Sequence, residues 1–363
     1  MRLLIRLLCL AVVIGTLGGC GFKDIDKRFF VVGTGIDWSG NKDKPYRITL
    51  QLAIPSPKVE SGASKTQYEI IDAPSIAEGI RMLKSYVDKE LDFGHCKMFL
   101  IGHTLADKDI RPVIDWMSRR RDIQSVANLA VGEPDAETVL KVRATSELYP
   151  GNALYLTFGS DGTESSYTYV ETLSGLNRRL AEKGLDPALA FIRNDNRTSY
   201  IVNQIALMDK QKIKMMLSPT ETQLFNQLSK HFTKASMHGM FKGTPIVIAI
   251  NSLQSSFRIK QEQDETIIVM RIRMKVVFEE APSGVYNASW EAFENELSRD
   301  YEKVSMALLE KIRRAGIDPF GFGLRYRAMH NGQGSWEQWQ ELYPQARFQV
   351  HAHVKVEGTG LIK

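Results

Sequence analysis

The sequence predicts an α+β fold, and three observations carry that prediction. Strict two-residue alternation of apolar and polar side chains marks strands at Tyr46–Ile54, Thr266–Phe278 and Phe348–Val356. Amphipathic helices with good start signals follow Ser75, Ser218 and Ser289. The two kinds of element mix without the regular strand–helix–strand rhythm of a doubly wound α/β sheet. At 363 residues the chain is too long for one ordinary core and suggests two or three units. Its composition, 43% hydrophobic and 25% charged, is that of a globular protein.

Taken in order, the first strand is Phe29-Phe30-Val31-Val32, ending in a tight turn at Gly33-Thr34-Gly35. The next places Tyr46, Ile48, Leu50 and Leu52 on one face and Arg47, Thr49 and Gln51 on the other. Pro55 and Pro57 end it, and 58–65 reads as a loop. Ser75 caps a helix striped by Ile76, Ile80, Leu83 and Val87. Met98–Ile101 is a short buried strand, Ile110–Arg119 a helix, Val126–Val131 a strand and Glu137–Val142 a short helix. Turn clusters at Tyr149–Asn152 and Gly159–Gly162 follow, and a boundary is expected near residue 145.

Beyond it, Tyr169–Lys183 reads as a helix with Leu173, Leu176 and Leu180 inward and Gly184 at its end. Ile201–Met208 and Lys212–Met216 read as a hairpin. Ser218-Pro219-Thr220-Glu221 is a capping box with proline in the first turn, opening a helix that ends near His231. The last region starts near residue 236 with a strand at Ile246–Ile250. In Thr266–Phe278 the apolar set runs from Ile268 to Phe278, and Arg271, Arg273 and Lys275 face the other way. The longest helix follows Ser289, carrying Phe293, Leu297, Tyr301, Val304, Leu308 and Ile312 and ending at Gly316. The divisions expected are therefore 29–145, 146–235 and 236–363, preceded by segments 1–19 and 20–28.

Those first segments carry the most specific signal. Arg2 and Arg6 precede an apolar stretch from Leu7 to Leu17, too short for the about 20 residues that span a bilayer. This is the pattern of a cleaved export signal. Its end, Leu17-Gly18-Gly19-Cys20, resembles the lipobox of bacterial lipoproteins. That resemblance implies a diacylglyceryl group on the Cys20 thiol, cleavage before Cys20, and a short tether over 20–28. Each buried CH2 of an acyl chain adds about 0.8 kcal/mol to membrane binding. With Cys9 in the signal and Cys20 acylated, Cys96 is the one cysteine left, so no intramolecular disulfide forms. The formal charge of +5 drops by two when Arg2 and Arg6 leave. So mild a balance does not indicate nucleic-acid binding and is compatible with an anionic membrane surface.

Motifs of catalysis are missing. Gly33-Thr34-Gly35 lacks the third glycine and the helix of a dinucleotide loop. No Gly-x-Ser-x-Gly elbow, His-Glu-x-x-His helix or phosphate loop occurs. His351 and His353 share a strand face with Gln349, Lys355 and Glu357, which reads as a solvated side and not as a metal site. Arg119-Arg120-Arg121 could meet lipid phosphates or an acidic partner but reads better as a solvated helix end or turn, and Cys96 as a small core residue. No cofactor or metal is expected.

Several segments together resemble the Ger(x)C family, the lipoprotein C subunits of nutrient germinant receptors in endospore-forming bacteria. They are Cys20, Phe30–Asp37, the alternating strand from Tyr46, His95–Gly102, Ile110–Ile123 with its arginine-rich end, and Gln204–Glu221. The most specific lie at the end: Asp318-Pro319-Phe320-Gly321-Phe322-Gly323, Trp336, Trp339, Leu342-Tyr343-Pro344 and the closing strand to Gly358. The sequence departs from the family pattern after the lipid cysteine, with Gly21-Phe22-Lys23-Asp24, and at Met215-Met216. The resemblance implies three α+β domains, each a mixed or antiparallel sheet with flanking helices, and no known enzymatic activity. It implies membrane-embedded A and B receptor subunits as partners, a bilayer anchor through Cys20, and a place on the outer face of the spore's inner membrane. Two rival readings are a solute-binding lipoprotein of an importer, which calls for repeated βαβ lobes around a cleft, and a tethered cell-wall hydrolase, which calls for paired carboxylates or zinc.

Overall fold

The computed structural model describes residues 1–2, 27–53, 66–142, 150–158, 165–195, 199–229, 235–241, 243–263, 265–282, 289–330, 332 and 334–359. Two sheets organise them, and mixed strands and helices confirm the α+β class.

The first sheet has ten strands: β1 (Arg28–Trp38), β2 (Tyr46–Ala53), β3 (Thr66–Ala73), β4 (Glu90–Asp92), β5 (Met98–Gly102), β6 (Asn128–Glu133), β7 (Glu171–Thr172), β8 (Ala188–Asp195), β9 (Ser199–Met208) and β10 (Ile213–Met216). Its spine runs β10-β9-β8-β6-β5-β1-β2-β3, with β4 beside β1 and β7 beside β6. The four central strands β8, β6, β5 and β1 are parallel, and antiparallel strands flank them. Parallel strands need crossovers, and helices supply them. These are α1 (Ile76–Leu83), α2 (His103–Ala106), α3 (Arg111–Ser118), α4 (Ala136–Leu140), α5 (Pro150–Leu156) and α6 (Leu173–Ala181).

Both faces of this sheet are covered. Phe99 and Ile101 of β5 pack with α1, α3 and α6, while Met98 and Leu100 pack on the opposite face with α4 and α5. Continuous burial of β5 follows, and the same coverage buries Thr49 and Gln51 on the polar face of β2. It also overturns the tight turn expected at Gly33-Thr34-Gly35. These residues lie inside β1, paired with Gln51, Leu50 and Thr49. The glycines serve close packing. A Cβ on Gly35 would stand 2.9 Å from Leu140 Cδ1 and 3.0 Å from Ala136 Cβ. From the end of β1, the Asp37 carboxylate accepts the main-chain N–H groups of Ala136 (2.7 Å) and Glu137 (3.0 Å) at the start of α4.

Other expectations shift as well. Pro150–Asn152 begins a helix and not a turn, since proline suits a first helical turn. The helix expected from Tyr169 begins at Leu173, because Glu171–Thr172 pair with β6 first and Thr172 then caps the helix. The first serine-capped helix stops at Leu83, although Val87 still packs on the core. β3, β8 and the first strand of the second sheet were not foreseen. The loop 58–65, the turn at Gly159–Gly162 and the boundary near 145 lie outside the described residues. On either side of that boundary, β6 and β8 pair within the one sheet.

The second sheet is β11 (Ala235–Phe241), β12 (Thr244–Glu262), β13 (Glu265–Glu280) and β14 (Arg347–Gly358), in that order. The strand expected at Ile246–Ile250 runs on to Glu262, because β13 pairs with it along nearly its whole length. One face packs on α7 (Pro219–Leu228), α8 (Trp290–Arg314), α9 (Phe322–Met329), α10 (Ser335–Leu342) and the 3-10 turn Tyr343–Gln345. The reciprocal capping box at Ser218 and Glu221 is present, although α7 ends at Leu228, short of His231. Along α8, Glu294, Ser298 and Glu302 accept the N–H groups of Val356, Val354 and Ala352, which closes the free edge of β14. No helix among the described residues is long and apolar enough to cross a membrane.

Candidate functional site

Three of the four buried charged side chains among the described residues, Glu171, Arg179 and Asp318, lie where α6 and the loop after it meet the segment before α9. Helix α6 presents Leu173, Leu176 and Arg179 inward, so a guanidinium enters the apolar stripe and needs a partner. Arg179 Nε donates to Glu171 Oε2 at 2.6 Å, with both side chains under a tenth exposed. Its Nη1 donates to the carbonyls of Asp186 (2.9 Å) and Pro319 (3.0 Å). The buried Tyr169 hydroxyl donates to the same carboxylate at 3.1 Å. Burial raises the Glu171 pKa, against the pull of Arg179.

Lys210 closes the C-terminal end of α6. Its ammonium donates to the carbonyls of Arg179, Glu182 (2.7 Å) and Leu185 (2.5 Å) and lies 3.4 Å from Asp186 Oδ1. A cation there completes the unpaired carbonyls of a helix end. Burial pushes its pKa down, with Asp186 opposing.

Across the junction, Asp186 and Asp318 hold each other's backbone. The Asp318 N–H donates to Asp186 Oδ2 (2.7 Å), and the Asp186 N–H donates to the Asp318 carbonyl (2.8 Å). The Asp318 carboxylate accepts three further N–H groups, from Gly321 (2.9 Å), Phe322 (3.0 Å) and Gly323 (2.6 Å), and so caps α9. Burial outweighs these donors and pushes its pKa up to about 7, with Asp186 adding to the rise. Gly184 brings the two main chains into direct contact. At φ +79° its carbonyl accepts the Leu324 N–H at 2.9 Å, and a Cβ there would stand 2.5 Å from the Gly323 carbonyl carbon. Beside the junction is a cleft of about 370 Å³ lined by Leu185, Leu228, Phe257 and Phe320, with the exposed Arg178 and Arg325 among its walls.

Chemically this is a clamp. Its charged heads are held by main chain or by opposite charge, so the two sheets are joined by rigid polar contacts that span up to 140 residues of sequence. The segment Asp318–Gly323, singled out in the sequence, forms one jaw. Glu171, Arg179, Asp186 and Lys210 form the other and were missed. The readable signal was an arginine three residues after Leu176 on an apolar helical stripe.

The remaining sequence candidates do not converge. Cys20 lies outside the described residues. Cys96 is buried with Sγ 3.3 Å from Thr34 Oγ1, and burial pushes its thiol up to about 12, as suits an inert core residue. Arg120 pairs with Asp122 at 2.5 Å and stacks over Phe93, while Arg119 and Arg121 are exposed. His351 and His353 are exposed on β14, opposite Arg271 and Arg273 of β13.

Two family models match the chain in tandem. The spore germination protein N-terminal domain covers residues 21–194, and the spore germination B3/GerAC-like C-terminal domain covers 203–360. The chain belongs to the GerAC family of spore germination proteins. The second model begins within β9, so both families' signatures meet in the first sheet, next to the clamp. Among curated GerAC-like relatives, spore germination protein GerQC of Bacillus cereus is 21% identical over 75% of this chain and 76% of its own. Spore germination protein KC of Bacillus subtilis (strain 168) is 22% identical over 99% of this chain and 96% of its own. The crystal structure of the GerBC protein has the same fold, with a TM-score of 0.58 and 15% identity. That match covers 89% of this chain and 97% of the other.

Proposed function

We propose that this GerAC-family chain is the lipid-anchored C subunit of a nutrient germinant receptor, acting in receptor assembly or signalling without enzymatic activity. Family membership supports this reading, and the single observation that carries it further is Leu17-Gly18-Gly19-Cys20 set directly before the matched region. Acylation of Cys20 holds the body on the outer face of a membrane, by resemblance the inner membrane of the spore. The A and B subunits embedded there are the partners. The anchor raises their effective concentration, so modest contacts suffice for assembly. In this reading 29–145, 146–235 and 236–363 are three consecutive α+β units, the first two sharing a sheet through β6 and β8, and the clamp transmits displacement between the second and third.

The test is nutrient-triggered germination of spores lacking the gene, followed as loss of optical density across amino acids, sugars and nucleosides. Selective loss of one response is expected, restored by the intact gene and not by Cys20→Ala, with labelled palmitate incorporated only when Cys20 is present. Normal responses to every nutrient together with lost uptake of one solute would favour the importer reading instead.

A further inference from the structure

We propose that the open face of the second sheet carries a binding site for the phosphate of an anionic phospholipid headgroup, formed by Arg258, Arg271 and Arg273. Arg271 and Arg273 stand two residues apart on β13 and so share a face. Arg258 follows Ser256, the cross-strand partner of Arg271, and joins them on the same side. All three are exposed, and none is paired with a carboxylate among the described residues. They line a depression of about 310 Å³ with Gln254, Ser256 and Val269.

The contrast with the other cations of this sheet face is the key observation. On the same face Lys275 is neutralised by Glu357 (2.7 Å) and Lys355 by Glu294 (3.1 Å). Arg347 and Lys260 of the same sheet hold Glu265 and Glu262. Three unpaired guanidiniums around one hollow leave a concentrated positive site, and the guanidinium fork matches phosphate oxygens two at a time. His351 and His353 stand beside Arg271 and Arg273 across the β13–β14 pairing and place no carboxylate next to them. Val269 gives the hollow an apolar wall for the glycerol portion of a headgroup. A lipid is favoured over free phosphate because the site sits on a broad exposed face of a body held at a bilayer. In that respect the proposal rests on the anchored reading of Cys20.

The experiment is vesicle flotation of the full chain carrying Cys20→Ala, so that acylation cannot contribute. Vesicles are phosphatidylcholine alone or with phosphatidylglycerol. Each arginine near an anionic surface contributes about fivefold, so Arg258→Gln, Arg271→Gln and Arg273→Gln together are expected to weaken binding to phosphatidylglycerol on the order of a hundredfold at low salt. A control with the same charge change on exposed cations of the first unit, Lys42→Gln, Arg81→Gln and Lys84→Gln, is expected to bind like its parent. Equal loss in the control would reduce the effect to net charge and overturn the site. Unchanged binding of the arginine variant would also overturn it. Binding of inorganic phosphate to the arginines without any preference for phosphatidylglycerol would assign the hollow to a free anion and overturn the lipid. Failure in vesicles alongside a lost germination response in deletion spores would remove the lipid contact and leave the receptor reading standing.

Discussion

The two sheets of this GerAC-family protein bury their strands in opposite ways. In the first, helices lie on both faces, so β5 is buried at every position and even Thr49 and Gln51 of β2 are covered. In the second, the helices among the described residues lie on one face, and from Met270 onward β13 alternates buried and exposed without a break up to Val276. The difference explains why β13 and β14 of the second sheet write their period into the sequence, while in the first sheet, β2 apart, strands such as β5 appear as short apolar runs. It also divides the labour. The first sheet is a two-sided core, and the second, among the described residues, leaves one face exposed.

That comparison can be broken by mutation. The largest effect is expected from Phe99→Ala in the first sheet, which should lower stability by about 4 kcal/mol in urea denaturation, since a fully buried ring leaves a cavity. Arg273→Ala on the open face of the second sheet should stay within about 0.5 kcal/mol. Equal costs would mean that the second sheet's outer face is covered in solution.

The clamp sharpens the comparison, because it joins the two kinds of sheet. Arg179→Met leaves the Glu171 carboxylate buried without its partner, and a loss of about 3 kcal/mol is expected. Adding Glu171→Leu should recover most of it, because the desolvated charge is then gone. A double-mutant cycle checks this. If the double variant is as unstable as the single one, the pair is not the source of the cost, and the carbonyl contacts to Asp186 and Pro319 are.

A pH dependence separates the two regions as well. Two buried aspartates cap helices, Asp37 in the first region and Asp318 at the clamp. Burial raises them from 3.8 to about 6 and about 7. A raised acid keeps its proton in the folded state after the unfolded chain has lost it. Its contribution to stability is therefore full below about pH 4 and declines as pH rises, to near pH 6 for Asp37 and near pH 7 for Asp318. Subtracting the stability–pH curve of Asp318→Asn from that of the parent should leave a decline that continues to pH 7. A flat difference would mean that the three N–H donors hold Asp318 ionised.

Much of the second region was legible. The strands at Thr266–Phe278 and Phe348–Val356 and the helices after Ser218 and Ser289 appear nearly where their periods and caps placed them, because alternation and capping are local chemistry. The first region was less legible. β3 and β8 passed unnoticed because a strand covered on both faces, or lying at an irregularly exposed edge, has no clean period. The clamp was half legible. Asp318–Gly323 stood out as a motif, whereas its partners Arg179, Asp186 and Lys210 are ordinary charged residues until the fold brings them within 4 Å of it or of one another.

By itself the sequence determined the α+β class, those helices and strands with a clear period or cap, the family, and the candidate lipid cysteine at Cys20. All of these depend on residues close together in the chain, or on motif order along it. Only the tertiary structure decided that Gly33-Thr34-Gly35 lies inside a strand against α4, that one sheet runs through both sides of residue 145, and that two aspartates 132 residues apart hold each other's backbone. Those outcomes depend on which surfaces meet, and contact between distant segments leaves no periodic trace in the sequence of either one.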